Sequence, residues 1–186
     1  PVNNDTAAIV KTVHEDALGG GDLSTGNDDP NDTEFAFIAN TDLESRVDIG
    51  ADEPARFEFN DQISGKVLNT DGVAITSKGL DVTYVYVSPT QVNGVTSDGR
   101  VIFEITKTSS GFRFDLDDQI DHPAPSAGDL GDAQTLGINL SSVFEAFDAD
   151  GDSVVLTTAV TIQVEDDIPV NNDTAAIVKT VHEDAL

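Results

Sequence analysis

The chain has 186 residues, 35 of them acidic and 9 basic, for a formal net charge of −26 at pH 7, and it contains no Cys, Met or Trp. Phosphate backbones and anionic bilayers are held by Lys and Arg, so this balance excludes nucleic acid and direct membrane contact as partners, and disulfides are excluded outright. The self-repulsion of so many carboxylates must be offset, either by bound divalent cations or by a high-salt medium that solvates an acidic surface.

Residues 1–18 return letter for letter as residues 169–186, an offset of 168 residues. That period is far longer than a solenoid unit, and each repeat is long enough to hold its own core. The expectation is a tandem array: 1–168 is one complete repeat, and 169–186 is the linker and first strand of the next. Three fates are open to that terminal copy. It can dangle, add to an exposed sheet edge, or swap into a neighbouring molecule.

Alternation over 6–13 predicts a first strand, which ends at Glu15 and Asp16. Residues 18–31 are glycines and acids with almost nothing apolar, and read as a long loop. Phe35 with Phe37, and Phe57 with Phe59, give short alternations. Over 81–87, Val82, Tyr84 and Tyr86 share one face, and Thr83, Val85 and Val87 the other. Val101, Phe103 and Ile105 share a face over 100–107, and Phe112, Phe114 and Leu116 do so after them. Residues 117–132 form a second acidic loop with Asp117, Asp118, Asp121, Asp129 and Asp132. Residues 141–147 are compatible with one helical turn. Val160, Ile162 and Val164 mark the last strand. Turn signals at Asp71-Gly72, Asn93-Gly94, Asp98-Gly99 and Ser110-Gly111 separate the runs. Short strands with frequent turns predict an all-β, antiparallel β-sandwich.

The acids cluster. Asp148, Asp150 and Asp152 alternate around Gly151, and several carboxylates on one turn suit a hard cation such as Ca²⁺. The register is not that of an EF-hand. Counted from Asp148, Gly151 falls at position 4 and Ala159 at position 12, where a Glu is required. The alternative is an ordinary polar hairpin tip. A second cluster, Glu165, Asp166 and Asp167, leads through Pro169 to Asn171, Asn172 and Asp173, an extended linker. Glu15 and Asp16 are the third. In a seven-strand sandwich the first and last strands run the same way. Glu15 and Asp16 are therefore expected beside Glu165, Asp166 and Asp167. The turn 148–152 is expected at the opposite end, near Asn3, Asn4 and Asp5. A merely salt-adapted surface would spread its acids evenly. Gathering at both poles favours Ca²⁺ between neighbouring repeats.

Catalysis is poorly provided for. The independent histidines are His14 and His122, since His182 copies His14. His122 lies near Ser126, but local adjacency is no triad, and a loop histidine bonded to its neighbours is the expectation. With no Trp and only Tyr84 and Tyr86, a sugar-stacking platform is lacking. The chain reads as non-enzymatic.

Three stretches then carry a resemblance: 112–123 (Phe-Arg-Phe-Asp-Leu-Asp-Asp-Gln-Ile-Asp-His-Pro), 147–153 (Phe-Asp-Ala-Asp-Gly-Asp-Ser) and 160–169 (Val-Thr-Ile-Gln-Val-Glu-Asp-Asp-Ile-Pro). Together they resemble the tandem repeats of giant type I-secreted RTX adhesins and agglutinins, and the opening 13–18 is similar to the start of those repeats. The last hairpin and linker also resemble cadherin repeats, although the linker lacks the full cadherin pattern. The resemblance implies an Ig-like or cadherin-like extender domain at the extracellular surface of a bacterium, with calcium in its linkers and neighbouring repeats of the same chain as partners. Such a domain projects a distal ligand-binding region for surface attachment and biofilm formation. The alternative is a carbohydrate- or protein-binding adhesive module acting by avidity.

Overall fold

A computed structural model describes residues 1–4, 8–19, 31–123, 134–157 and 160–167. In chain order the strands are β1 (Val2–Asn3), β2 (Ile9–His14), β3 (Phe35–Ala39), β4 (Val47–Asp48), β5 (Arg56–Phe59), β6 (Thr76–Ser77) and β7 (Leu80–Ser88). They continue with β8 (Gln91–Thr96), β9 (Val101–Lys107), β10 (Gly111–Leu116), β11 (Thr135–Asn139), β12 (Phe144–Phe147), β13 (Ser153–Val155) and β14 (Val160–Glu165). One short helix, α1 (Asn40–Glu44), follows β3, and single 3-10 turns occupy Glu15–Ala17 and Ser141–Val143. The second of these is the helical turn compatible with 141–147. No helix among the described residues is long and apolar enough to cross a membrane.

The main sheet has six strands in the order β3-β10-β9-β8-β7-β6. Opposite it lie two three-stranded sheets, β11-β14-β2 and β13-β12-β5, and β1 pairs with β4. Every pairing is antiparallel except β14 with β2. The result is an all-β sandwich. Its core is aromatic: Phe112 of β10 packs against Phe59 of β5 and Phe144 of β12, with ring centroids 4.9 and 4.8 Å apart. The Phe112 ring is fully buried, which contributes roughly 1.5–3 kcal/mol.

Two expectations need correction, the face that Val101 shares with Phe103 and the turn at Asn93-Gly94, while the alternation of β3 holds with its aromatic side outward. Phe35 and Phe37 point outward, while Ala36 and Ile38 between them are buried. The Arg113 guanidinium covers the outer face of Phe35, 4.5 Å from its centroid. Val101 is exposed because the β8–β9 register slips after Gly94, so that Ile102 and Phe103 are both fully buried. A β-bulge of this kind inserts one residue and re-aims the side chains beyond it. Asn93-Gly94 is no turn. It lies inside β8, where Gly94 stands opposite both Tyr84 and Phe103. A Cβ there would fall 2.3 Å from the Phe103 ring, so only glycine leaves room for it.

Of the two predicted long loops, residues 117–123 are described. They are packed against the sheet by their own acids. Ile102 O accepts the amides of Asp117 and Asp118. Asp118 accepts from Arg100 and Lys78, and Asp121 from Thr76 and the amides of Lys78 and Gly79. Ile120 between them is buried.

Candidate cation sites at the two poles

The parallel pairing of β14 with β2 sets one pole. Register places Val164 beside Val13 and Glu165 beside His14, so the residues that follow both strands emerge together. Glu15 enters the 3-10 turn and is buried, and its Oε1 accepts the Ile120 amide at 2.7 Å. Glu15, Asp166 and His122 each present one ligand atom, and these atoms lie within 4.8 Å of one another. Asp16 and Asp167 are half-buried at the same pole. The Glu165 carboxylate instead faces His14, 3.7 Å from its Nε2. We call this the trailing pole.

The leading pole forms around the turn between β12 and β13. Asp148 is buried, and its Oδ1 accepts the amides of Gly151 and Asp152 at 3.0 and 2.8 Å. Gly151 holds φ at +101°, a conformation that glycine alone adopts readily. Burial pushes the Asp148 carboxyl up. Hydrogen bonding with Asp150 and the two amides outweighs burial and holds it below its usual range. Asp150 is pushed up, first by that same hydrogen bond and then by the Asp148 charge. The two carboxyls lie close enough to shift each other's ionisation in opposite directions. Asp52 joins them, with one oxygen of each residue inside the same 4.8 Å limit, and its backbone carbonyl accepts the Ala149 amide. Asp152 contributes its backbone to the turn, and its carboxylate is outside that group of three.

The chain start lies at this pole. The Pro1 nitrogen is 3.8 Å from Asp148 Oδ2, and the Asn3 side chain donates to Val155 O and accepts from the Thr157 amide. The Asn4 amide donates to Asp48. Asn3 thus ties the chain start to Val155 and Thr157 after the turn, and Asn4 ties it to β4 through Asp48. Asp5, Asn171, Asn172, Asp173 and Ser126 lie outside the described residues.

Two residues at these poles escaped the sequence reading. Asp52 comes from the segment after β4, with no local mark beyond the adjacent Glu53. His122 was expected to be bonded to its loop neighbours, and it is not. Its side chain is 4% exposed, and neither ring nitrogen makes a hydrogen bond.

Lys11 pairs with Asp42, Arg56 and Lys107 with Glu58, Lys66 with Asp81, Lys78 and Arg100 with Asp118, and Arg113 with Asp115. Among the described residues, no Lys or Arg pairs with Glu15, Asp166, Asp52, Asp148 or Asp150. The leading group gathers oxygen donors only, and the trailing group sets one imidazole beside two carboxylates. No protein-family model, curated protein or solved structure matches the chain.

Proposed function

We propose that the chain is an extender repeat of a bacterial surface adhesin, stiffened by calcium at the junctions between repeats and projecting a distal binding region. The observation that supports this reading is the charge pairing. Among the described residues no Lys or Arg pairs with Glu15, Asp166, Asp52, Asp148 or Asp150, while ligand atoms of these acids gather within 4.8 Å in each group. An all-oxygen set of closely spaced carboxylates at the leading pole suits Ca²⁺. Asp52, Asp148 and Asp150 are the core of that site. Glu15, Asp16, Asp166 and Asp167 belong to the trailing site, where Asn171, Asn172 and Asp173 of the linker would meet it. The exact return of 18 residues at an offset of 168 supports a tandem array, in which each junction brings one trailing pole to the next leading pole.

Thermal melts in calcium, in chelator and in sodium chloride at matched ionic strength test the reading. An ion that binds only the folded state adds ~2.7 kcal/mol at a hundredfold excess over Kd. For a domain of this size that raises the melting temperature by about 5–10 °C. Coincident curves in calcium and chelator defeat the calcium role, and an equal shift with sodium assigns it to screening.

A further inference from the structure

Calcium is bound through oxygen, yet one of the three donors gathered at the trailing pole is a nitrogen. His122 follows the loop that Asp118 and Asp121 tether, and its side chain is buried against Glu15. Its Nε2 stands 3.5 Å from Glu15 Oε1 without hydrogen-bonding it, and Nδ1 has no partner. Buried polar atoms without hydrogen bonds are rare in folded proteins, because each forfeits its hydration and regains nothing. His14, at the same pole, differs in this respect. Its Nδ1 accepts the Thr33 amide, and its Nε2 faces Asp32 and Glu165 at 3.6 and 3.7 Å.

We propose that Glu15, His122 and Asp166 form a site for a borderline divalent transition ion, with Zn²⁺ as the matching probe. An imidazole between two carboxylates is a donor set that zinc accepts and calcium does not favour. The spacing fits. With bonds of 2.0–2.1 Å, two ligands of a tetrahedral ion lie about 3.3 Å apart, close to the 3.5 Å between Glu15 and His122. The Ile120 amide bound to Glu15 Oε1 fixes that carboxylate, as second-shell donors do at metal sites. The ion would cross-link the end of β2, the 117–123 loop and the end of β14. The proposal rests on the reading of this pole as cation-binding, but not on calcium at the leading pole or on the extender role.

The test is a zinc titration of the full chain in saturating calcium, followed by calorimetry and by the imidazole ¹⁵N resonances. The chain has three histidines, so each ring is resolvable. The expected result is one zinc per chain that moves the His122 resonances, at least tenfold weaker binding in His122→Gln, and unchanged affinity in His14→Gln. Absence of zinc binding, a shift confined to His14 or His182, or unchanged affinity in His122→Gln overturns the proposal. If His122→Gln fails to fold, the wild-type resonances decide alone. A calcium-dependent melt that survives failure of the zinc test leaves the extender reading standing, and the reverse outcome removes calcium only.

Discussion

Asp117 follows β10 directly, and its carboxyl is pushed up to about 6. Partial burial is the largest cause, followed by Glu104 and Asp115, with Arg113 opposing them. Glu104 and Asp115 stand opposite each other on β9 and β10, so Asp117 adds a third acid to a cross-strand pair of like charge. A folded-state pKa above the ordinary carboxylate value of ~4 means that the folded chain holds this proton more tightly than the unfolded chain does. Stability from this group is therefore present below pH ~4 and is lost as pH rises through about 6. Asp117→Asn should melt above the parent at pH 7 and coincide with it near pH 4. Although its carboxyl is partly desolvated by the strands beside it, the residue as a whole is open to solvent, so screening limits the gain to about 0.5–1 kcal/mol, or about 1–4 °C. Melts of both proteins across that range check it, and a gap that persists at pH 4 disproves the assignment. Gly94 makes the opposite kind of prediction, since nothing titrates there. Gly94→Ala drives a methyl into Phe103, which also stacks on Phe114 and meets Tyr84 edge-on. Overpacking of this sort costs about 1–3 kcal/mol, and urea denaturation should show a lower midpoint at unchanged slope.

At the scale of elements, the turn from β12 to β13 can be changed without dismantling it. Asp148→Asn retains the oxygen that accepts the Gly151 and Asp152 amides, and Asp150→Asn removes a carboxyl that is exposed in any case. The double variant should keep the calcium-free melting temperature or raise it slightly, because one like-charge contact is relieved. It should also lose one calorimetric calcium site. An unchanged stoichiometry would remove the turn from the ligand set. The acidic turn was legible in the sequence because its residues are contiguous, and the parallel partnership of β2 and β14 because sandwich topology constrains first and last strands. Asp52 and His122 were not legible, because each reaches its pole through packing across the fold and carries no local signature. Alternation located β3 and β9 but did not tell which side of β3 faces inward, and it missed a slip in β9. In β3 the small Ala36 and Ile38 take the buried side, and a guanidinium shelters the outer Phe35. In β9 a bulge, invisible to a period-two pattern, turns Val101 out and Ile102 in. A glycine inside β8 read as a turn because its real reason, an aromatic ring lying over the backbone, is a contact between strands.

At the scale of the whole molecule, the two groups of acids belong to opposite ends of the strand path that closes the sandwich. β14 alone spans six residues, roughly 20 Å at 3.3 Å each, and the leading group lies beyond it, ahead of β13. In a tandem array every junction then sets a trailing group, a short acidic linker and a leading group close together. Without a cation these charges repel and the joint flexes, while Pro169 limits the freedom of only one backbone position. A cation held jointly by two domains would fix their relative orientation and turn a chain of beads into a rod. For four repeats in series, small-angle scattering in calcium should give a maximum dimension near four domain lengths, growing in proportion as repeats are added. Chelation should shorten the mean dimension and broaden its distribution, and the leading-pole double variant should do the same with calcium present. Length that is insensitive to chelation would show that the linker is stiff by itself and that the polar acids serve stability alone. A compact, folded-back particle in calcium would defeat the extender role and favour the adhesive module, since avidity needs many accessible copies but no fixed reach.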